Sequence, residues 1–205
     1  MQMRGTIIRL QIQQAPLKIG PAQQRRYEPA PILSLPHVFL SDGGVCGEDG
    51  QLDVHHPHHP SRKNFGENGV SVGFIDHYTS MRSRFGTHLT DGIAGENILV
   101  QFGGMVGEPA SVRSLQAEDL RNGIVILAGD GTRVRLSNLR VAEPCVEFTR
   151  YALRYPPDSR STPAVTEALD FLRAGMRGFY SIYSGPPVRL QVGDRVLLTE
   201  AGEQA

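Results

Sequence analysis

The sequence predicts a mainly β protein: a barrel or sandwich of many short strands with two helices inserted. Three observations carry that prediction. Within 205 residues there are 23 Gly and 14 Pro, and such frequent punctuation favours short elements over long helices. Apolar residues alternate with polar ones in several short runs, the period of a half-buried strand. Turn residues separate these runs at intervals of roughly 10 residues, as in barrels and sandwiches.

Taken in order, Ile8, Leu10 and Ile12 fall in phase between Arg9, Gln11 and Gln13, which predicts a strand over Thr6–Gln13. Pro16, Pro21, Pro29, Pro31 and Pro36 then mark residues 14–36 as a loop or extended arm, polar and basic from Gln23 to Tyr27. His37–Leu40 is a short strand ending in the turn Ser41-Asp42-Gly43-Gly44. Val45 to Gly69 has no periodicity and reads as a long loop, and long loops in compact domains are commonly functional or disordered. After a brief strand at Val70 and Val72, the residues Phe74, Tyr78, Met81 and Phe85 define one face of a helix that stops at Gly86. Ile98, Val100 and Phe102 alternate as a strand. Ile124–Ala128, the turn Gly129-Asp130-Gly131, and Val134 and Leu136 make the clearest hairpin. Asn138–Val141 is short and extended. Ser161-Thr162-Pro163 caps a second helix striped by Val165, Leu169, Leu172 and Met176. Phe179–Tyr183, Val188–Val192 and Val196–Leu198 close the pattern as strands.

This is one domain spanning residues 1–205, 40% hydrophobic and 20% charged. Lys+Arg and Asp+Glu both number 21, so the basic excess of a general nucleic-acid binder is missing. Only Lys18 and Lys63 are lysine; the other basic residues are arginines, the better fork for phosphate and carboxylate oxygens. No apolar run approaches the roughly 20 residues of a membrane span. The start, Met1 to Gly5, lacks the apolar region of a signal peptide. Cys46 and Cys145 do not make a disulfide framework. A cytoplasmic protein with reduced thiols is the expectation.

Three places could carry chemistry. In Gly92-Ile93-Ala94-Gly95-Glu96-Asn97, two glycines lead into a polar pair at the mouth of an apolar strand. That pair either satisfies a buried turn or faces a polar ligand. Cys145 follows Pro144 between Arg140 and Arg150. A cation nearby favours the thiolate, which can attack sulfur, carry a persulfide or bind a soft metal; the alternative is a small buried hydrophobe. The run His55-His56-Pro57-His58-His59 is broken by proline, and with Cys46, Asp49 and Asp53 it fits no zinc spacing. Histidines and arginines converging on an anionic ligand suit it better. Arg177, just before a strand, is either a helix C-terminal cation or a ligand contact.

Taken together, these pieces resemble a MOSC domain, the module at the C-terminus of molybdenum-cofactor sulfurases. Gly44-Val45-Cys46-Gly47-Glu48 stands for the family's first glycine turn, with Glu48 where Asp is usual. His55-His56 stands for its His pair, followed here by Pro57 rather than Gly-Gly. Gly92-x-x-Gly95-Glu96-Asn97 and Val141-Ala142-Glu143-Pro144-Cys145 are the most specific matches. Arg177-Gly178-Phe179-Tyr180 and Val192-Gly193-Asp194-x-Val196 complete an ordered set over about residues 40–200.

The resemblance implies a MOSC-type β-barrel with a few inserted helices. It implies binding of molybdenum cofactor, transfer of sulfur for metal–sulfur cofactor assembly, or both. Cys145 would be the sulfur carrier or a molybdenum ligand. His55, His56, Gly95, Glu96, Asn97, Arg140 and Arg177 would bind the cofactor. The pyridoxal-phosphate domain of the fused sulfurases has no counterpart in this chain, so that cofactor is not expected. A cysteine desulfurase is the partner such a carrier implies. Two alternatives stand beside it. One is a molybdenum-dependent reductase of N-hydroxylated compounds fed by a separate electron-donor protein, since two cysteines cannot hold a four-Cys cluster. The other is a binding module of the same fold without catalysis.

Overall fold

The computed structural model describes residues 3–61, 69–103, 115–159 and 162–198. Part of the loop expected over Val45–Gly69 and the cap residue Ser161 lie outside the described residues. Among those described are thirteen strands and three α-helices. They are β1 (Arg4–Gln13), β2 (Lys18–Ile19), β3 (Arg26–Tyr27), β4 (Ile32–Leu35), β5 (His37–Ser41), β6 (Gly44–Cys46), β7 (Val70–Phe74), α1 (Ile75–Phe85) and β8 (Ile98–Phe102). There follow β9 (Ile124–Leu127), β10 (Arg133–Val141), α2 (Val146–Leu153), α3 (Pro163–Arg173), β11 (Phe179–Ile182), β12 (Val188–Gln191) and β13 (Arg195–Leu198).

Seven strands close into a barrel in the order β13–β9–β10–β11–β7–β8–β1, with β1 returning to β13 through Arg4↔Leu197, Gly5↔Val196 and Thr6↔Arg195. Closure gives each of these seven strands a neighbour on both sides. Neighbours are antiparallel except β7 and β8, which run parallel because α1 carries the chain back across the barrel wall. β4 extends the sheet along the far half of β1, and β12–β5–β6 form a small second sheet. The expected mainly β barrel with inserted helices is therefore the fold observed.

The barrel interior is filled from alternate positions: Val70, Val72 and Phe74 on β7, Ile124 and Ile126 on β9, Val134 and Leu136 on β10. On β1 the phase differs from that expected. A register shift between Ile7 and Arg9 puts Ile7 inside with Leu10 and Ile12, and turns Ile8 outward against the helices. Gln11 and Gln13 are then buried on the outer face, not solvated. The hairpin strand and the extended stretch after it are one strand, β10, bent where Asn138 takes φ 53° and the register shifts. Its first half pairs with β9 and its second with β11.

The helices form an outer layer on one side, around Tyr27, Tyr78, Met81, Leu99, Phe148 and Leu172. On α1 the expected stripe starts one residue late: Phe74 is the last residue of β7 and points into the barrel. Thr162 caps α3 as expected, its hydroxyl accepting from Val165 N at 3.3 Å. The helix α2, which periodicity did not single out, begins immediately after Cys145. The arm at 14–36 is ordered as the β2–β3 hairpin and β4, and lies against α2 through Tyr27 and Phe148, whose ring centroids are 5.0 Å apart.

Candidate functional site

The turn from Gly92 to Gly95 is held by its carbonyls. Four consecutive ones each accept from a different side chain: Gly92 O from Gln11 Nε2 at 2.7 Å, Ile93 O from Tyr27 Oη at 2.7 Å, Ala94 O from Arg177 Nη2 at 3.1 Å, and Gly95 O from Gln13 Nε2 at 2.7 Å. The donors come from β1, β3 and the segment before β11. Gly95 takes φ +93°, and a Cβ there would lie 2.5 Å from Gln13 Nε2, so the close approach requires glycine.

The polar pair that follows is buried behind this turn. Asn97 is completely engaged: its Oδ1 accepts from Ser71 N and Ser71 Oγ, and its Nδ2 donates to Gln11 O and to Asp53 Oδ2. It joins β1, β7 and β8 to the loop carrying Asp53. Glu96 accepts from Tyr78 Oη at 2.7 Å through Oε2, while Oε1 is buried without a partner among the described residues. Burial pushes the Glu96 carboxyl up to about 7 against the opposing hydrogen bond from Tyr78 and the charge of Arg177. Gly73 leaves it room, since a Cβ there would lie 2.9 Å from Glu96 Cγ. Neither Glu96 nor Asn97 is among the residues lining the cavity in front of the turn.

The cavity itself, of about 360 Å³, opens in front of the turn between the arm, the Asp53–His55 loop and the α3–β11 junction. Its lining includes Lys18, Arg25, Tyr27, His55, Arg177 and Tyr180, with Glu143 the carboxylate. Three cations against one anion suit a negatively charged, oxygen-rich ligand. Burial raises the pKa of both Tyr27 and Tyr180, so they stand as neutral phenols.

Cys145 is half-buried at the edge of this wall and caps α2, its Sγ accepting from Phe148 N at 3.5 Å. Arg177 Nη1 lies 3.8 Å from the same sulfur, and the guanidinium stacks 4.6 Å from the Phe148 ring centre. Burial works against the Arg177 charge, but Cys145, Tyr27, Tyr180 and Glu96 around it raise its pKa, so it stays cationic. Arg177 Nε is buried without a partner among the described residues. One side chain thus connects the sulfur, the glycine turn and the cavity.

The predicted site residues divide accordingly. Arg177 touches both Cys145 and the turn carrying Gly95, and it lines the cavity together with His55. His56 turns away: its ring packs at 5.5 Å from that of His58, and its Nδ1 accepts from His58 N. Burial, with the neighbouring His58, lowers its pKa. Arg140 is exposed on β10 opposite Tyr180, where it lines a separate shallow hollow with Ser137, Asn138 and Ser181. The bend at Asn138 directs it there. Glu48 pairs with His37 instead of entering the cavity. Sequence reasoning missed Asp53, which is fully buried and accepts from Gln13 N at 2.7 Å and from His55 N and His55 Nδ1 at 2.9 Å each. It also missed the lining roles of Lys18, Arg25 and Tyr27. The spacing Asp53-x-His55 beside a His pair was the available signal.

No family model and no curated protein sequence matches the chain. Solved structures do. The YuaD protein from Bacillus subtilis superposes with a TM-score of 0.59 at 18% identity, covering 98% of this chain and 99% of that one. YiiM from Geobacillus stearothermophilus superposes with a TM-score of 0.52 at 16% identity, over 98% of this chain and 78% of its own. YiiM from Escherichia coli gives 0.51 at 11% identity, over 100% and 73%. Both YuaD and YiiM are MOSC-domain proteins.

The fold is MOSC-like. At these identities the likeness concerns architecture alone. Within the MOSC-like barrel, Arg177 reaches both the Gly92–Asn97 turn and Cys145, although Gly92 and Pro144 are 52 positions apart. Arg177 makes the physical link between them.

Proposed function

We propose that this MOSC-like protein carries sulfur on Cys145 beside a cavity that binds molybdenum cofactor, for metal–sulfur cofactor assembly. The observation that supports it most is Arg177, which contacts Cys145 Sγ at 3.8 Å and Ala94 O at 3.1 Å while lining a cavity with two further cations. Phe148 N–H and Arg177 are two donors directed at one sulfur.

The donor set fits the cofactor. Lys18, Arg25 and Arg177, which line the cavity, would hold a phosphate, and Arg177 Nε, without a partner among the described residues, would donate to a ligand atom. Among the described residues no three His, Cys, Asp or Glu side chains gather around a metal position. A metal on Cys145 would thus bring its other ligands with it. Bound there, the cofactor would supply a molybdenum centre for sulfur or oxygen transfer. Lys18, Arg25 and Arg177 would orient it, and the arm would cover it.

The same placement of Cys145 supports a second reading, in which it ligates molybdenum in a reductase of N-hydroxylated compounds served by a separate electron-donor protein. Two measurements test the pair. Incubation with a cysteine desulfurase and cysteine, followed by mass spectrometry, should add sulfur to Cys145; an unmodified Cys145 under conditions that load a known carrier rejects the first reading. Molybdenum and pterin in protein purified from cells given molybdate should appear in stoichiometric amount; their absence from folded, active protein rejects the second.

A further inference from the structure

Arg177 stands in the turn between α3 and β11, and a long cationic side chain in a turn keeps one rotamer only where other groups hold it. Its Nη2 donates to Ala94 O at 3.1 Å, while Nη1 lies 3.8 Å from Cys145 Sγ. The placing of Ala94 therefore sets where the guanidinium meets the sulfur. Ala94 is fixed at its amide end. Its N–H donates to Tyr78 Oη at 3.0 Å, and Tyr78 Oη donates to Glu96 Oε2 at 2.7 Å. Tyr78 has one proton to give. Burial pushes its phenol well above the usual range, so the proton stays on, and the Ala94 N–H already uses the oxygen as acceptor. The proton is committed to Glu96. Both side chains are buried. A Cβ on Gly178 would lie 3.1 Å from Glu96 Cγ, so the Glu96 stem rests against the backbone of the residue after Arg177. Gly178 O in turn accepts from Ala142 N at 2.9 Å, three residues before Cys145.

We propose that Tyr78 and Glu96 are a pair of positioning residues for Cys145, acting through Ala94 and Arg177 to hold the guanidinium at the sulfur. This rests on the sulfur-carrier reading above, whose main support is that contact. Every link is a direct one: Glu96 to Tyr78, Tyr78 to Ala94, Ala94 to Arg177, Arg177 to Cys145. What position 96 supplies is an acceptor oxygen for the Tyr78 proton. A carboxylate, a carboxylic acid and a carboxamide all offer one. Glu96 Oε1, without a partner among the described residues, takes no part. Tyr78 is the member felt at both ends. Without its oxygen, the Ala94 N–H and Glu96 Oε2 are left buried and unsatisfied, and the turn relieves that by moving Ala94. Arg177 Nη2 then loses the carbonyl that aims the guanidinium.

Two measurements on full-length protein test the pair. Nitrogen NMR reads Arg177 with no ligand added. A guanidinium whose two ends are held by different partners gives separate Nη1 and Nη2 signals, and one that rotates freely merges them. Wild-type Arg177 should give separate signals and Tyr78→Phe merged ones. The second measurement is single-turnover loading of Cys145 from a persulfidated cysteine desulfurase, followed by mass spectrometry. Tyr78→Phe should load about tenfold more slowly. Combined with Arg177→Lys it should slow loading no further than Arg177→Lys alone, because both break the same hold. Glu96→Met fills the space without an acceptor oxygen and should also load about tenfold more slowly; Glu96→Gln should recover most of that loss. Thermal melts identify the variants that are folded at the assay temperature. Substitutions at 78 and 96 break the link from opposite ends, so either carries the test where the other does not fold. Separate Arg177 signals in Tyr78→Phe overturn the pair and leave the carrier reading standing. So does wild-type loading by Tyr78→Phe, a further slowing in the double variant, or a Glu96→Gln protein as slow as Glu96→Met. Wild-type protein that takes up no sulfur rejects the carrier reading, and the Arg177 signals alone then decide whether the pair holds the guanidinium.

Discussion

At Cys145 two demands meet in one atom. The sulfur is a helix cap and a candidate nucleophile, and substitution separates the two. Serine is the better N-cap, so Cys145→Ser should leave thermal stability within about 1 kcal/mol of wild type while abolishing sulfur loading; a differential scan and a mass spectrum check both halves. Arg177 is the reverse case, one group serving several contacts. An ammonium is a point donor without the planar fork, so Arg177→Lys cannot span Cys145 Sγ, Ala94 O and Glu143 O together. Loading of Cys145 should fall at least tenfold, by the loss of roughly 1.5 kcal/mol or more typical of a charged hydrogen bond, in a protein that still melts cooperatively.

Glu96 and Asp53 respond to pH in opposite senses. The folded-state pKa of Glu96 is raised to about 7. The native state therefore holds a proton that the unfolded chain releases nearer pH 4.3. That stabilisation is complete below about pH 4 and is lost progressively as pH rises to about 7, on the order of 3 kcal/mol in all. Glu96→Gln keeps the shape and removes the proton, so its stability should change little between pH 5 and pH 8 while wild type weakens. Urea unfolding at the two pH values gives the comparison. Asp53 is lowered, so its contribution is present above about pH 4 and disappears as pH falls through its folded-state value.

Among elements, the turn Gly92–Gly95 matters most, because Gln11, Gln13, Tyr27 and Arg177 all hang from its carbonyls. Gly95→Ala would force a Cβ into Gln13 Nε2 at a positive φ. It should lower stability by roughly 1–3 kcal/mol, seen as a lower denaturant midpoint with an unchanged slope. Much of this level was legible in the sequence. The helical stripe Tyr78–Met81 and the Thr162 cap are local signals, as is the hairpin turned by Gly129-Asp130-Gly131, and each reappears in place. What was not legible depends on partners distant in the chain. Gln11 and Gln13 look like a solvated face because their neighbours are apolar; only the carbonyls 81 and 82 positions further on make burial tolerable. α2 was hidden because an eight-residue helix holds too few repeats to show a period. For the site, the ordered motifs brought Cys145, His55 and the glycine turn to notice, whereas His56 and Arg140 point elsewhere for reasons of ring packing and strand bend. For Asp53 the spacing to His55 was the local signal, while its burial depends on Gln13 and Asn97, 40 and 44 positions away.

For the molecule as a whole, the barrel makes the site a late product. β1 supplies Gln13 to the cavity wall, yet the same strand closes the barrel only by pairing Arg4–Thr6 with Arg195–Leu197. Contacts that span nearly the whole described chain are entropically slow to form. Refolding should accordingly run in milliseconds to seconds, and stopped-flow fluorescence of the tyrosines would time it. A chain still on the ribosome, with β13 not yet emerged, has neither a closed barrel nor a settled wall around Cys145. On the sulfur-carrier proposal, sulfur would then be delivered only to finished molecules, and a half-made or nicked chain would present its thiol to a donor with nowhere to hold the cargo.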